Sequence, residues 1–163
     1  MVTVSDGVVA GTRADRSGPL VEERLSGMGF VVERAVVADE PDRIGRIVAE
    51  AADGGARLVV TSGGTGLGPR DRTPEGVTPV IDYVVPGFGE AMRAEGRTHT
   101  ALASLSRSFA AVRGRTLIIC VPGSPRGAGE SLDAVEMILA HTLDTLGGRT
   151  AHVAGEGDPD TDG

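Results

Sequence analysis

Lysine is absent from the 163-residue chain, and all 16 basic side chains are arginine. A P-loop cannot be built without the lysine ammonium of G-x-x-x-x-G-K-[ST]. A lysine Schiff base and a lysine–AMP intermediate of the nucleic-acid ligase type are excluded for the same reason. Any phosphoryl chemistry must therefore use arginines, backbone amides and metal. Cysteine is nearly absent as well. The single Cys120, set in the apolar run Leu117–Val121, leaves no internal disulfide and no cysteine-rich zinc site. In that setting it reads as a buried, inert thiol. Aromatic residues make up only 2% of the chain, so Val, Leu, Ile and Ala have to fill the core. No apolar run approaches the roughly 20 residues that a membrane span needs. Nothing near Val2-Thr3-Val4 has the character of a signal peptide, so the expected location is cytoplasmic. The formal net charge of -7 argues against a nucleic-acid partner, whose phosphates call for a basic face.

Hydrophobic residues make up 40% of the chain, and the length suits one domain, expected over residues 1–150 with an acidic, disordered tail over 151–163. Val2–Val4 reads as a first strand and Ser5 to Ser17 as a loop. A helix is expected from about Pro19 to Met28, and Val31–Val37 as a second strand. Ile44, Ile47, Val48 and Ala51 recur at helical spacing, and Leu58–Thr61 is a short strand of the doubly covered kind. Ser62 to Arg72 is a glycine-rich loop. Thr73 reads as the N-cap of the next helix. A further helix is expected over Phe88–Glu95. Phe109–Val112 and Thr116–Val121 suit a short antiparallel hairpin. Pro122–Gly129 is another glycine–proline loop, and Ser131 to about Leu146 the last helix, with Leu132, Val135, Ile138, Leu139, Thr142 and Leu143 on one face. The alternation predicts a three-layer α/β fold: a mostly parallel sheet with helices on both faces. Ligands of such sheets bind beyond the carboxyl ends of the strands, where these loops should gather.

The loop Thr61-Ser62-Gly63-Gly64-Thr65-Gly66 can bring backbone N–H groups close to a phosphate, with hydroxyls from Ser62 and Thr65, or it can be a plain surface turn. Asp71, between Arg70 and Arg72, either caps a helix or holds magnesium while one of those arginines touches an anion. Asp6 and Asp39 end the first two strands. They are either ordinary turn residues or part of a metal and acid–base cluster at the same edge. Pro122-Gly123-Ser124-Pro125-Arg126 is either a rigid turn or an anion site at a helix N-terminus. Ser106-Arg107-Ser108 is a further polar cluster. His99, His141 and His152 lack metal-ligand spacing, and no G-x-S-x-G elbow is present.

Taken in order, several stretches resemble the Mog/MoaB family of molybdenum-cofactor proteins, which includes the N-terminal domain of gephyrin. They are Val4-Ser5-Asp6 with Asp15 to Pro19, Asp39-Glu40, Thr61 to Pro74 (TSGGTGLGPRDRTP), Pro86 to Arg93 (PGFGEAMR), Leu105-Ser106-Arg107 and Thr116 to Pro125 (TLIICVPGSP). The resemblance implies a molybdopterin-binding fold, a homotrimer, and adenylyl transfer from Mg-ATP to the terminal phosphate of molybdopterin, whose product goes on to molybdate insertion. Contact with the molybdate-insertion protein is implied as well. It puts the two critical aspartates at Asp39 and Asp71, which would hold the magnesium. Ser62, Gly63, Gly64, Thr65 and Gly66 would form the nucleotide and phosphate loop, joined by Pro122, Gly123 and Ser124. Ser5, Asp6, Arg70, Ser106 and Arg107 are the candidates for contacts to the pterin or an anion. One departure stands out: the family often carries Ser-Asp-Arg where this chain has Ser5-Asp6-Gly7. The alternatives are a non-catalytic molybdopterin carrier, a scaffold protein, and a generic nucleotide-binding domain.

Overall fold

The computed structural model describes residues 1–148. The expected tail over 151–163, with His152, lies outside the described residues. Six strands form one sheet in the order β2-β1-β3-β6-β5-β4. They are β1 (Val2–Val4), β2 (Ala35–Val37), β3 (Leu58–Ser62), β4 (Tyr83–Val85), β5 (Phe109–Arg113) and β6 (Thr116–Val121). The neighbours β2–β1, β1–β3 and β3–β6 are parallel, while β6–β5 and β5–β4 are antiparallel. The helices are α1 (Asp6–Val9), α2 (Ser17–Gly27), α3 (Pro41–Asp53), α4 (Thr73–Val77), α5 (Pro86–His99) and α6 (Pro125–Leu146).

Every residue of β6 is buried, because the strand is covered on both faces. Its side chains alternate between two cores. Leu117, Ile119 and Val121 pack with Val60 against α2, α5 and α6 through Val21, Leu25, Phe88, Met92, Leu132, Val135 and Leu139. Ile118 and Cys120 pack on the opposite face with Val59, Val4 and Val37 against Ile44 and Val48 of α3 and Val77 of α4. This is the expected three-layer α/β arrangement with its antiparallel hairpin.

Several boundaries differ from the sequence reading. The expected strand over Val31–Val37 shrinks to Ala35–Val37, and Val31 is 100% exposed. The reason is the neighbour: β2 lies at the sheet edge and pairs only with the three residues of β1. The loop after β1 holds the single turn of α1, whose N-cap Ser5 accepts a hydrogen bond from the Val8 N–H at 3.3 Å. Helix α6 starts at Pro125 rather than Ser131, since proline suits a first helical position and Ser124 caps it. Ile138, expected on the buried face of that helix, is 43% exposed. The N-cap of α4 is Arg72, not Thr73. Thr73 is instead buried, and its hydroxyl donates to Gly63 O at 2.7 Å. The edge strand β4 was not expected, because three residues carry no readable period.

The chain adds β2 on one side of β1 and then returns to place β3 on the other. This creates a switch point where the loops after β1, β2, β3 and β6 meet at the carboxyl edge.

Candidate active site

The loop after β3 is pressed between two walls. Gly63 has φ +116°, and a Cβ there would lie 2.2 Å from Val4 O of β1. Gly64 has φ +64°, and its Cβ would meet Thr73 Oγ1 at 2.4 Å. Only glycine fits such a left-handed, crowded path. The carbonyls of this loop are held from outside. Gly63 O accepts from Thr73 Oγ1 (2.7 Å), Gly64 O from Thr73 N (3.0 Å), Thr65 O from Arg107 N (2.8 Å) and Gly66 O from Arg107 Nε (2.8 Å). Among the described residues, the N–H groups of Gly64, Thr65, Gly66 and Leu67 have no hydrogen-bond partner. Successive free amides of this kind form a nest for an anion.

The two aspartates that the resemblance singles out stand over alternate residues of that nest. A Cβ on Gly64 would lie 3.3 Å from Asp39 Oδ1, and one on Gly66 would lie 2.7 Å from Asp71 Oδ2. Asp39 and Asp6 are cross-linked at the ends of β2 and β1. The Asp6 N–H donates to Asp39 Oδ2 at 2.8 Å, and the Asp39 N–H donates to Asp6 Oδ1 at 3.0 Å. Burial pushes the Asp39 carboxyl above its ordinary pKa. The Asp6 N–H and Arg70 pull the other way, while the negative charges of Asp6 and Asp71 add to the rise. Asp6 itself is held below the usual carboxylate range by the Asp39 N–H and by Arg70. Asp71 Oδ2 accepts from Gly68 N at 2.7 Å, which closes the loop beneath it.

These groups border one open cavity of about 1160 Å³. Its wall includes Ser5, Asp39, Ser62 to Gly66, Asp71, Ser106 and Pro122 to Ser124. The loop after β6 abuts the loop after β3: a Cβ on Gly123 would lie 3.0 Å from Gly63 Cα, and Ser62 Oγ donates to Pro122 O at 3.0 Å. Three candidates do not reach the wall. Asp6 and Arg70 form an ion pair of 2.6 Å beside the mouth, and Arg107 lies behind the glycine loop.

The family model described as "Probable molybdopterin binding domain" matches residues 1–144. The chain belongs to that family. MoaB of Thermus thermophilus, described as a molybdopterin biosynthesis enzyme, superposes with a TM-score of 0.85 at 47% identity, covering 90% of this chain and 94% of that one. A molybdenum cofactor biosynthesis bifunctional protein of Synechococcus elongatus is 41% identical over 149 residues, covering 91% of this chain but 47% of the relative. The chain thus spans about half the length of that bifunctional protein and of a second one from Chlorobaculum tepidum, of which 48% is covered. A molybdopterin adenylyltransferase of Helicobacter pylori is 36% identical over 159 residues, covering 94% of this chain and 89% of the relative.

The cavity wall also holds Arg13, Arg16, Met92 and Arg93, which the sequence reading did not select. Arg93 is tied to Ser106 O and Ser108 O. Among the described residues the side chains of Arg13 and Arg16 make no hydrogen bond or ion pair, so their guanidinium groups remain available, while the Arg13 backbone N–H donates to Gly7 O at 3.0 Å. Arg13 folds over Gly7: a Cβ there would lie 3.2 Å from Arg13 Cβ and 3.8 Å from its Nε. An arginine therefore stands beside the position where the family often carries one. The signal was present in Asp15-Arg16-Ser17-Gly18-Pro19, but spacing alone did not show which face it took.

Among the described residues no three His, Cys, Asp or Glu side chains converge on a metal site. Two carboxylates, those of Asp39 and Asp71, border the same cavity. Magnesium commonly takes one or two carboxylates, keeps several waters and draws its remaining ligands from substrate phosphates. The repulsion that helps to raise Asp39 is what a divalent cation offsets, so Asp39 and Asp71 fit such an ion.

Proposed function

We propose that this domain transfers the adenylyl group of Mg-ATP to the terminal phosphate of molybdopterin, giving adenylylated molybdopterin and pyrophosphate. One observation carries the reading: four adjacent unpartnered amides and two carboxylates share a single cavity beyond the sheet. The names of the relatives support it, and a volume of about 1160 Å³ accommodates two substrates side by side.

Mechanistically, an oxygen of the molybdopterin phosphate attacks the α-phosphorus of ATP. A new P–O–P linkage forms, the bond to the bridging oxygen of the β-phosphate breaks, and pyrophosphate leaves with that electron pair. The nucleophile is already ionised near neutral pH, so the site needs no strong general base. Its amides, from Gly64 to Leu67, take up charge on the phosphate oxygens and hold them in line. Asp39 and Asp71 are the residues that would hold magnesium, whose charge would neutralise part of the triphosphate. The cationic side chains of Arg13 and Arg16 offer a second anchor for an anionic substrate. We place the protein in the cytoplasm as a homotrimer, with residues 1–150 as a single domain and with its product passed to the molybdate-insertion protein.

The test uses purified protein with molybdopterin and Mg-ATP. Pyrophosphate should appear in step with AMP incorporation into the pterin. Asp71→Asn keeps an acceptor for the Gly68 N–H and should fold, yet lose on the order of 10²–10³ in turnover. Pterin binding without pyrophosphate release would identify a carrier instead. Near-normal adenylylation by Asp71→Asn would defeat the mechanism.

A further inference from the structure

The side chain of Arg107 makes no contact with the cavity, yet it binds three parts of the chain that do. Its Nε donates to Gly66 O (2.8 Å), Nη2 to Asp71 O (2.5 Å) and Nη1 to Glu75 Oε1 (2.7 Å), while its own backbone N–H donates to Thr65 O (2.8 Å). A trans peptide points its C=O and its N–H in opposite directions. Fixing the Thr65 carbonyl therefore fixes the Gly66 N–H, and fixing the Gly66 carbonyl fixes the Leu67 N–H. Thr73 does the same for Gly64 and Thr65 through the carbonyls of Gly63 and Gly64. The four-amide nest is thus oriented from behind by two residues, each setting two amides. Arg107 alone also grips the main chain of Asp71.

We infer that Arg107 is a positioning residue: it aims the Gly66 and Leu67 amides and the Asp71 carboxylate at the triphosphate while never touching the substrate. This rests on the adenylyl-transfer reading for its kinetic consequence, but not for its structural one. A planar guanidinium can reach two carbonyls and a carboxylate at once, whereas an ammonium cannot hold that fork. Lysine at this position should therefore behave much like alanine. If Arg107 instead bound a phosphate directly, lysine would keep most of the effect, since a point charge serves there.

The experiment compares wild type, Arg107→Lys, Arg107→Ala and Glu75→Gln in full-length protein. Both Arg107 variants should lose on the order of 100-fold in kcat, with the KM for molybdopterin unchanged, and Glu75→Gln should fall in between. In the ligand-free protein, amide exchange at Gly68, Asp71 and Thr73, whose N–H groups are bonded within this loop, should rise on the order of tenfold. Exchange in β6 should stay as in wild type, showing that the core is intact. Wild-type kcat in Arg107→Lys, or unchanged exchange at those three amides, would overturn the assignment. If wild type itself released no pyrophosphate, the adenylyl-transfer reading would fail, and the exchange data would still decide the role of Arg107.

Discussion

Replacing Asp39 by Asn should stabilise the fold and stop the chemistry. Asp39 is half-buried, and burial disfavours its charge, with Asp6 and Asp71 adding to the cost. The amide keeps an oxygen for the Asp6 N–H, which is bonded at 2.8 Å in the wild type, so little is lost on the favourable side. Stabilising exchanges of this kind commonly give 0.5–2 kcal/mol. Solvent screens a half-exposed charge, so the lower end applies here: about 0.5–1 kcal/mol, or about 2 °C in Tm for a chain of this size. The sign depends on pH. A carboxyl whose pKa is raised by folding favours the native state below its unfolded value, and that contribution is lost as pH rises through the folded value. The variant has no such loss. The two proteins should therefore melt alike near the ordinary aspartate value of 3.8 and separate toward pH 7, with the variant higher. Thermal melts from pH 4 to 8 read the gap, and a pyrophosphate assay reads the activity. Adding Mg-ATP should raise the wild type more than the variant, because ligand binding to the native state stabilises by mass action. A variant that melts lower at pH 7, or a gap that ignores pH, would refute the account of a charge held at cost.

Gly63→Ala should destabilise by about 3 kcal/mol or more in urea unfolding, since its Cβ would meet Val4 O of β1 at 2.2 Å and neither strand can yield. Gly55→Ala is the control: it has φ +93° but open space around it, so it should lose only about 1 kcal/mol. Equal losses at the two positions would show that the contact with β1 is unimportant. Cys120 is fully buried and its thiol is pushed up to about 12, so a thiol reagent at pH 8 should label it only after unfolding. Labelling of the native protein at the rate of a free thiol would contradict the packing of β6.

How much of this was legible beforehand follows from the physics of each piece. The run Thr116–Val121 and the helical spacing of Ile44, Ile47, Val48 and Ala51 are long, strongly patterned signals, and both elements stand where they were expected. The glycine loop was readable because Gly63-Gly64 demands special backbone angles. The length of β2 was not readable, since it is limited by the three residues of β1 rather than by its own valines. The start of α6 was hidden because proline and glycine mark loops as well as first turns. Asp39 and Asp71 could be proposed from their places after strands and loops, and they do face one cavity. The orientation of Arg70 and Arg107 could not be read, because a guanidinium beside a glycine loop can face either a ligand or the loop itself.

With no lysine, every fixed cationic side chain near the site is a planar fork, and the chain spends most of them on itself. Arg70 is taken by Asp6, Arg93 by the carbonyls of Ser106 and Ser108, and Arg107 by the loop and Glu75. These pairings fix the acidic cluster, the serine turn and the amide nest in place before any ligand arrives. What remains for an anion is mostly backbone N–H, with Arg13 and Arg16 on the same cavity wall and their side chains unpartnered among the described residues. A site made this way gains its strength from preorganised dipoles rather than from mobile charge, which is the condition under which hydrogen-bond donors stabilise a phosphoryl transition state most effectively. On the proposed reading, a protein with a net charge of -7 meets an anion with unpartnered backbone N–H groups rather than with a basic face.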